Sequence, residues 1–124
     1  MEEALIKRVL PHSIEAEQAV IGAMLMDKEA ILTSSEIISG EDFYQSAYGI
    51  LFETIVELFN EGKPVDLITL QNRLREKDVP AEVSSLEFAR DLLSAVQTSA
   101  NVKYYAEIVS EKAMLRRLIK LNEE

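Results

Sequence analysis

The sequence predicts an all-α protein, and three observations carry that prediction. Apolar residues recur at the i, i+3, i+4, i+7 spacing of one helix face through most of the chain. No stretch of convincing length alternates apolar and polar residues as a half-buried strand does. Glycine occurs only four times and proline three, so few points interrupt the helices. The predicted architecture is a compact head of about five helices followed by one long C-terminal helix.

Leu10-Pro11 reads as an extended arm, because proline disfavours a helical residue before it. Ser13 then caps a first helix from Ile14 to Met26, with Glu15 and Glu17 in the turn where the helix dipole favours carboxylates. Ile14, Ile21, Met24 and Leu25 are expected to face inward, with Ala19 and Ala23 allowing close approach. A short second helix follows Asp27, with Ile31 and Leu32 expected to be buried. Glu41-Asp42-Phe43-Tyr44 reads as a turn that carries aromatics and capping carboxylates.

The third helix has the clearest pattern: Tyr48, Leu51, Phe52, Ile55, Leu58 and Phe59 form one apolar stripe, with Glu53, Glu57 and Glu61 off it. Gly62 supplies a left-handed stop. Lys63-Pro64-Val65 connects to Asp66, the expected cap of a fourth helix with Leu67, Leu70 and Leu74 inward, and Val79-Pro80 ends it. Ser84-Ser85-Leu86-Glu87 has the spacing of a capping box. The helix it opens would bury Leu86, Ala89, Leu92, Leu93 and Val96. After Thr98-Ser99 a helical run continues to the end of the sequence with two adjacent stripes. One is Val102, Tyr105, Ala106, Val109 and Ala113; the other is Tyr104, Ile108, Leu115, Leu118 and Ile119. So wide an apolar arc exceeds what one head needs and implies a partner helix.

Composition narrows the function. The 124 residues carry 13 basic and 22 acidic side chains for a formal net charge of −9, a poor match to a surface that grips phosphates. The small basic clusters Lys7-Arg8, Arg73/Arg75/Lys77 and Arg116/Arg117/Lys120 read as solvated faces, so direct DNA binding is not expected. Without cysteine there is neither a disulfide framework nor a thiolate metal site, and His12, the single histidine, reads as a turn or cap residue. Only Gly62-Lys63 resembles the end of a phosphate-binding loop, and Pro64 stands where the loop needs a hydroxyl. Glu2/Glu3, Glu15/Glu17 and Glu41/Asp42 read as solvated or capping carboxylates rather than catalytic dyads. No catalytic, cofactor-binding or metal-ligating residue is expected. With no signal-like apolar start and no apolar run approaching about 18 residues, a cytoplasmic protein with no membrane contact is expected.

Four blocks in order carry a resemblance across nearly the whole length. They are Pro11-His12-Ser13-Ile14-Glu15-Ala16-Glu17-Gln18, Glu41-Asp42-Phe43-Tyr44 with Ile50-Leu51-Phe52, Gly62-Lys63-Pro64-Val65-Asp66-Leu67-Ile68-Thr69-Leu70, and Ala100-Asn101-Val102-Lys103-Tyr104-Tyr105-Ala106-Glu107-Ile108-Val109. Together they resemble the N-terminal domain of bacterial DnaB-type replicative helicases. Two positions depart from the pattern: Tyr48 stands where many members carry histidine, and Ser84-Ser85 replaces a common glycine pair.

The resemblance implies a collar domain of a hexameric, ATP-dependent DNA helicase, built from a helical head and a two-helix hairpin. It implies an arm over residues 1–12, a head over 13–98 and the first hairpin arm over 99–124, as in an excised fragment. ATP and Mg would belong to a RecA-like C-terminal domain outside this sequence. The implied partners are further copies of the chain (a dimer of the fragment, a hexamer of the parent), the primase C-terminal domain and a helicase loader. Phe88 falls at the place of an aromatic that contacts primase, and Met114, Leu115, Leu118 and Ile119 at the place of the oligomer interface. The competing readings are a small stand-alone helical enzyme and a stand-alone helical nucleic-acid-binding or protein-interaction domain.

Overall fold

A computed structural model describes residues 9–96 and 98–123. It contains six α-helices, α1 (Ile14–Met26), α2 (Lys28–Ser35), α3 (Ser46–Asn60), α4 (Leu67–Glu76), α5 (Leu86–Ser94) and α6 (Val102–Glu123). A 3-10 turn, Gly40–Asp42, lies between α2 and α3, and no strand occurs among the described residues. The all-α prediction holds.

Local chemistry sets most of the boundaries. The Ser13 hydroxyl accepts from the Ala16 amide at 3.2 Å, and the Asp27 carboxylate accepts from Glu29 at 3.0 Å to start α2. Asp66 opens α4 by accepting from Thr69 at 2.7 Å, and that bond holds its carboxyl below the usual carboxylate range. Gly62 adopts φ +73, the left-handed conformation that costs glycine little, and ends α3 with Lys63 N–H on the Leu58 carbonyl (3.0 Å) and Gly62 N–H on that of Phe59 (3.1 Å). The cap of α5 is Ser85, which accepts from Phe88 N–H at 3.2 Å. The expected Ser84–Glu87 pairing is absent: Ser84 donates to the Ala81 carbonyl at 3.1 Å, and Glu87 is exposed.

Helix α1 is the hub. It packs against α2, α3, α5 and α6, while α4 closes the far side against α3 and α5. Val20, Ile21 and Met24 of α1 meet Leu51, Phe52, Ile55 and Leu58 of α3. Ile31, Leu70, Leu74, Ala89, Leu92, Ala106 and Val109 complete the same core. Phe43 tilts against Phe52 with ring centroids 5.3 Å apart. Where α1 crosses α5, an added Cβ on Gly22 would lie 2.8 Å from the Leu92 carbonyl, so glycine sets that crossing distance.

Several expected core positions differ. Leu32 is half exposed at 50%, because α2 has eight residues and turns Ala30, Ile31 and Ser34 inward, leaving Leu32 on the next face. Ile14, Leu25, Phe59, Leu67, Leu86 and Leu93 are half-buried at the edge of the head. Val96 lies beyond the end of α5 and is half-buried against Gly22.

Two of the three basic residues expected on a solvated face, Arg73 of α4 and its C-cap Lys77, are instead engaged with α3. Arg73 donates to Glu57 (3.2 Å) and to Glu61 (2.7 Å), and Lys77 donates to Glu57 (2.8 Å) and Thr54 (3.0 Å). The acids off the α3 stripe therefore tie α3 to α4, and the Arg73 hydrogen bond holds the Glu61 carboxyl below its ordinary value. Arg75 is exposed.

Phe52 sits 2% exposed at the centre of this packing. Phe52→Ala should cost about 3–5 kcal/mol, because the cavity it leaves cannot fully collapse. Urea unfolding followed by circular dichroism checks this; coincident transitions for parent and variant would mean that α3 buries a different face.

Candidate docking surfaces

Among the described residues, the side chains with catalytic potential do not converge. Glu17 is buried at 1% exposure and uses both carboxylate oxygens as acceptors, from Tyr44 N–H (2.8 Å) and Gln45 N–H (3.2 Å), while Glu15 is exposed. Asp42 accepts from Ser39 N–H at 2.9 Å and from Arg117 at 3.0 Å. His12 donates from Nδ1 to the Leu10 carbonyl at 2.7 Å and stacks on Tyr44, with centroids 3.9 Å apart. Gly62-Lys63 forms the helix stop already described and Lys63 reaches Glu61 at 3.6 Å. Among the described residues no group of three or more metal-ligating side chains occurs, and no helix is long and apolar enough to cross a membrane. Glu2, Glu3, Lys7 and Arg8 lie outside the described residues.

Two surfaces remain that suit another macromolecule. The first is on α6. Val102, Ala106, Val109 and Ala113 face the head and are buried, whereas the opposite face is bare. Met114 is 54% exposed, Leu115 40%, Leu118 51% and Leu121 68%. Ile119 is half-buried, and Tyr104, also exposed, stands apart from this row, with Glu107 and Glu111 between them. Single exposed leucines are ordinary, but neighbouring ones in a row make a candidate interaction face.

The second surface surrounds Phe88. This side chain is half-buried, packs against the rim of the core, and stacks on Tyr48 with centroids 5.9 Å apart and planes 17° from parallel. The Tyr48 hydroxyl accepts from Gln18 at 2.9 Å, which fixes the lower ring of the stack. On the other flank of α5, Leu86, Arg90 and Leu93 line an apolar cleft of about 580 Å³ with Leu25, Val65 and Ile68. Sequence periodicity did not reveal that cleft, because its walls come from three helices and one connector.

Sequence reasoning also missed Arg116. Its place in a basic run predicts a solvated side chain, yet it is half-buried and donates to the carbonyls of Pro11 (2.9 Å) and Asp42 (2.7 Å). Its guanidinium carbon lies 5.6 Å from the centre of the Tyr44 ring.

Comparison with solved structures defines the class. The crystal structure of the N-terminal domain of DnaB helicase from Mycobacterium tuberculosis matches with a TM-score of 0.88 at 36% identity, covering 93% of this chain and 83% of that one. The fold is therefore that of a replicative-helicase N-terminal domain. The family model described as DnaB-like helicase N terminal domain matches residues 9–111, and the chain belongs to that family.

Its relatives include the replicative DNA helicase DnaB of Geobacillus stearothermophilus, 43% identical over 120 residues, and the replicative DNA helicase DnaC of Bacillus subtilis, 39% identical over 120 residues. Each alignment covers 97% of this chain, which spans about a quarter (26%) of the length of these relatives. The N-terminal domain of DnaB helicase from Helicobacter pylori, a structure described together with its interactions with primase, shares the fold at a TM-score of 0.74 and 21% identity over 88% of this chain and 85% of that one.

Proposed function

We propose that this chain is the collar domain of a hexameric replicative DNA helicase, and that its work is to pair subunits and to dock primase and a helicase loader. The observation that carries the reading is the bare apolar row on α6, on a domain whose family is that of helicase N-termini. In this reading residues 1–12 are an arm, 13–98 the head and 99–124 the first arm of a helical hairpin. The parent protein unwinds DNA in the cytoplasm with ATP and Mg held by a separate C-terminal domain, and this domain binds neither cofactor nor DNA. Net charge −9 supports the absence of a phosphate grip.

Met114, Leu115, Leu118 and Ile119 form the centre of the self-association seam. A twofold pairing of α6 with α6 is the simplest closed arrangement, since it covers the same row on both copies. Phe88 is the contact for the primase C-terminal domain. A large aromatic held half-exposed by a stacked neighbour is the kind of anchor on which interface energy concentrates.

Two variants test these assignments separately. Leu118→Glu places a charge in the seam, and sedimentation equilibrium should show a parent dimer become a helical monomer. A parent that stays monomeric at high micromolar concentration would remove α6 from the assembly. Phe88→Ala should weaken binding of the cognate primase C-terminal domain about tenfold or more in calorimetry, with helicity kept. Unchanged affinity would take Phe88 out of the interface.

A further inference from the structure

The last part of α6 leaves the head at Ala113, the final buried residue of its inward line. Helical geometry continues that line through Arg116, Arg117 and Lys120, and sets Leu115 and Leu118 on the far side. Arg116 is thus the innermost group on the projecting segment. It donates to the Pro11 carbonyl at 2.9 Å and the Asp42 carbonyl at 2.7 Å, and it lies beside the face of Tyr44. Tyr44 is stacked in turn on His12, the residue after Pro11. Arg117 adds a bond to the Asp42 carboxylate at 3.0 Å, but its side chain is 60% exposed, so Arg116 is the firmer tether. One planar guanidinium thereby joins three segments that are distant in sequence: the N-terminal arm, the 3-10 turn and α6.

We propose that Arg116 is a positioning residue for self-association, fixing the direction of α6 so that Leu115 and Leu118 meet a second copy of the chain in register, with Pro11, Asp42 and Tyr44 as its seat. This rests on the reading of α6 as the association seam. The physical ground is leverage. At the helical rise Leu118 lies about 7.5 Å and Leu121 about 12 Å past Ala113, so a tilt of about 10° at that pivot moves them by about 1.3 Å and about 2 Å. Interlocked leucines do not tolerate such a shift, because packed contacts fall off within an ångström. Arginine suits the task, since its rigid fork reaches two carbonyls at once where a lysine ammonium offers a single point charge.

The chain contains no cysteine, so cysteines introduced at the exposed positions Ser35 and Lys120 carry spin labels cleanly. Pulsed electron resonance on the Leu118→Glu monomer reads the direction of α6 without the interface, and sedimentation equilibrium on unlabelled chains reads association. Arg116→Met should broaden the label-to-label distance distribution and weaken dimerisation at least tenfold, while Arg116→Lys falls between Arg116→Met and the parent on both measures. A dimer as tight as the parent's in Arg116→Met, with Leu118→Glu monomeric, overturns the proposal and leaves the seam standing. Weakened dimerisation with an unchanged distance distribution overturns it as well, because Arg116 would then be an interface contact. If Leu118→Glu dimerises as the parent does, the seam reading fails and this proposal falls with it.

Discussion

Burying a carboxylate is costly unless its charge is answered, and Glu17 is answered by the chain itself. The side chain accepts two backbone N–H groups, from Tyr44 and Gln45, at the entrance to α3. That helix start has no side-chain cap of its own, so Glu17 supplies one from α1 while meeting the positive end of the α3 dipole. Charge-assisted bonds of this kind are short and directional, and together they fix α1 against α3 at one point. The rest follows outward. Tyr44 is held by its own amide, His12 stacks on Tyr44, and Arg116 lies over the same ring, so the arm and the end of α6 both rest on a residue that the buried carboxylate holds.

The helices were legible because their signals are local. Ser13, Asp27, Gly62 and Asp66 each act within four residues, and the α3 stripe needs only a regular period. What escaped the sequence were interactions between elements. Glu17 looked like one more first-turn acid, and nothing in its neighbourhood announced two donors some 27 and 28 positions away. Arg116 bonds across 105 and 74 residues, and its position in a basic run suggested solvent. Arg73 and Lys77 escape local reasoning for the same reason, because their partners lie one helix earlier. Leu32 failed differently: in a helix of two turns, one position of angular error moves a side chain from core to water.

The candidate surfaces were partly legible. The second stripe of α6 is visible as an excess of apolar residues over what the head can cover, and the exposed Met114, Leu115, Leu118 and Leu121 are that excess in three dimensions. Phe88 is marked in the sequence by its place in a resemblance, whereas the Tyr48 ring beneath it is visible only in the fold. The domain thus divides its apolar residues between two tasks. One set closes the head, and the other lines the face of α6 that the proposed pairing would cover.

Methyl resonances followed through a dilution series test that division most directly. The methyls of Met114, Leu115, Leu118 and Ile119 should shift together with concentration, along one association curve, while Leu51, Leu70 and Leu74 of the core stay fixed. Concentration-dependent shifts centred instead on Leu86 and Leu93 of α5, or none on α6 up to high micromolar concentration, would contradict it.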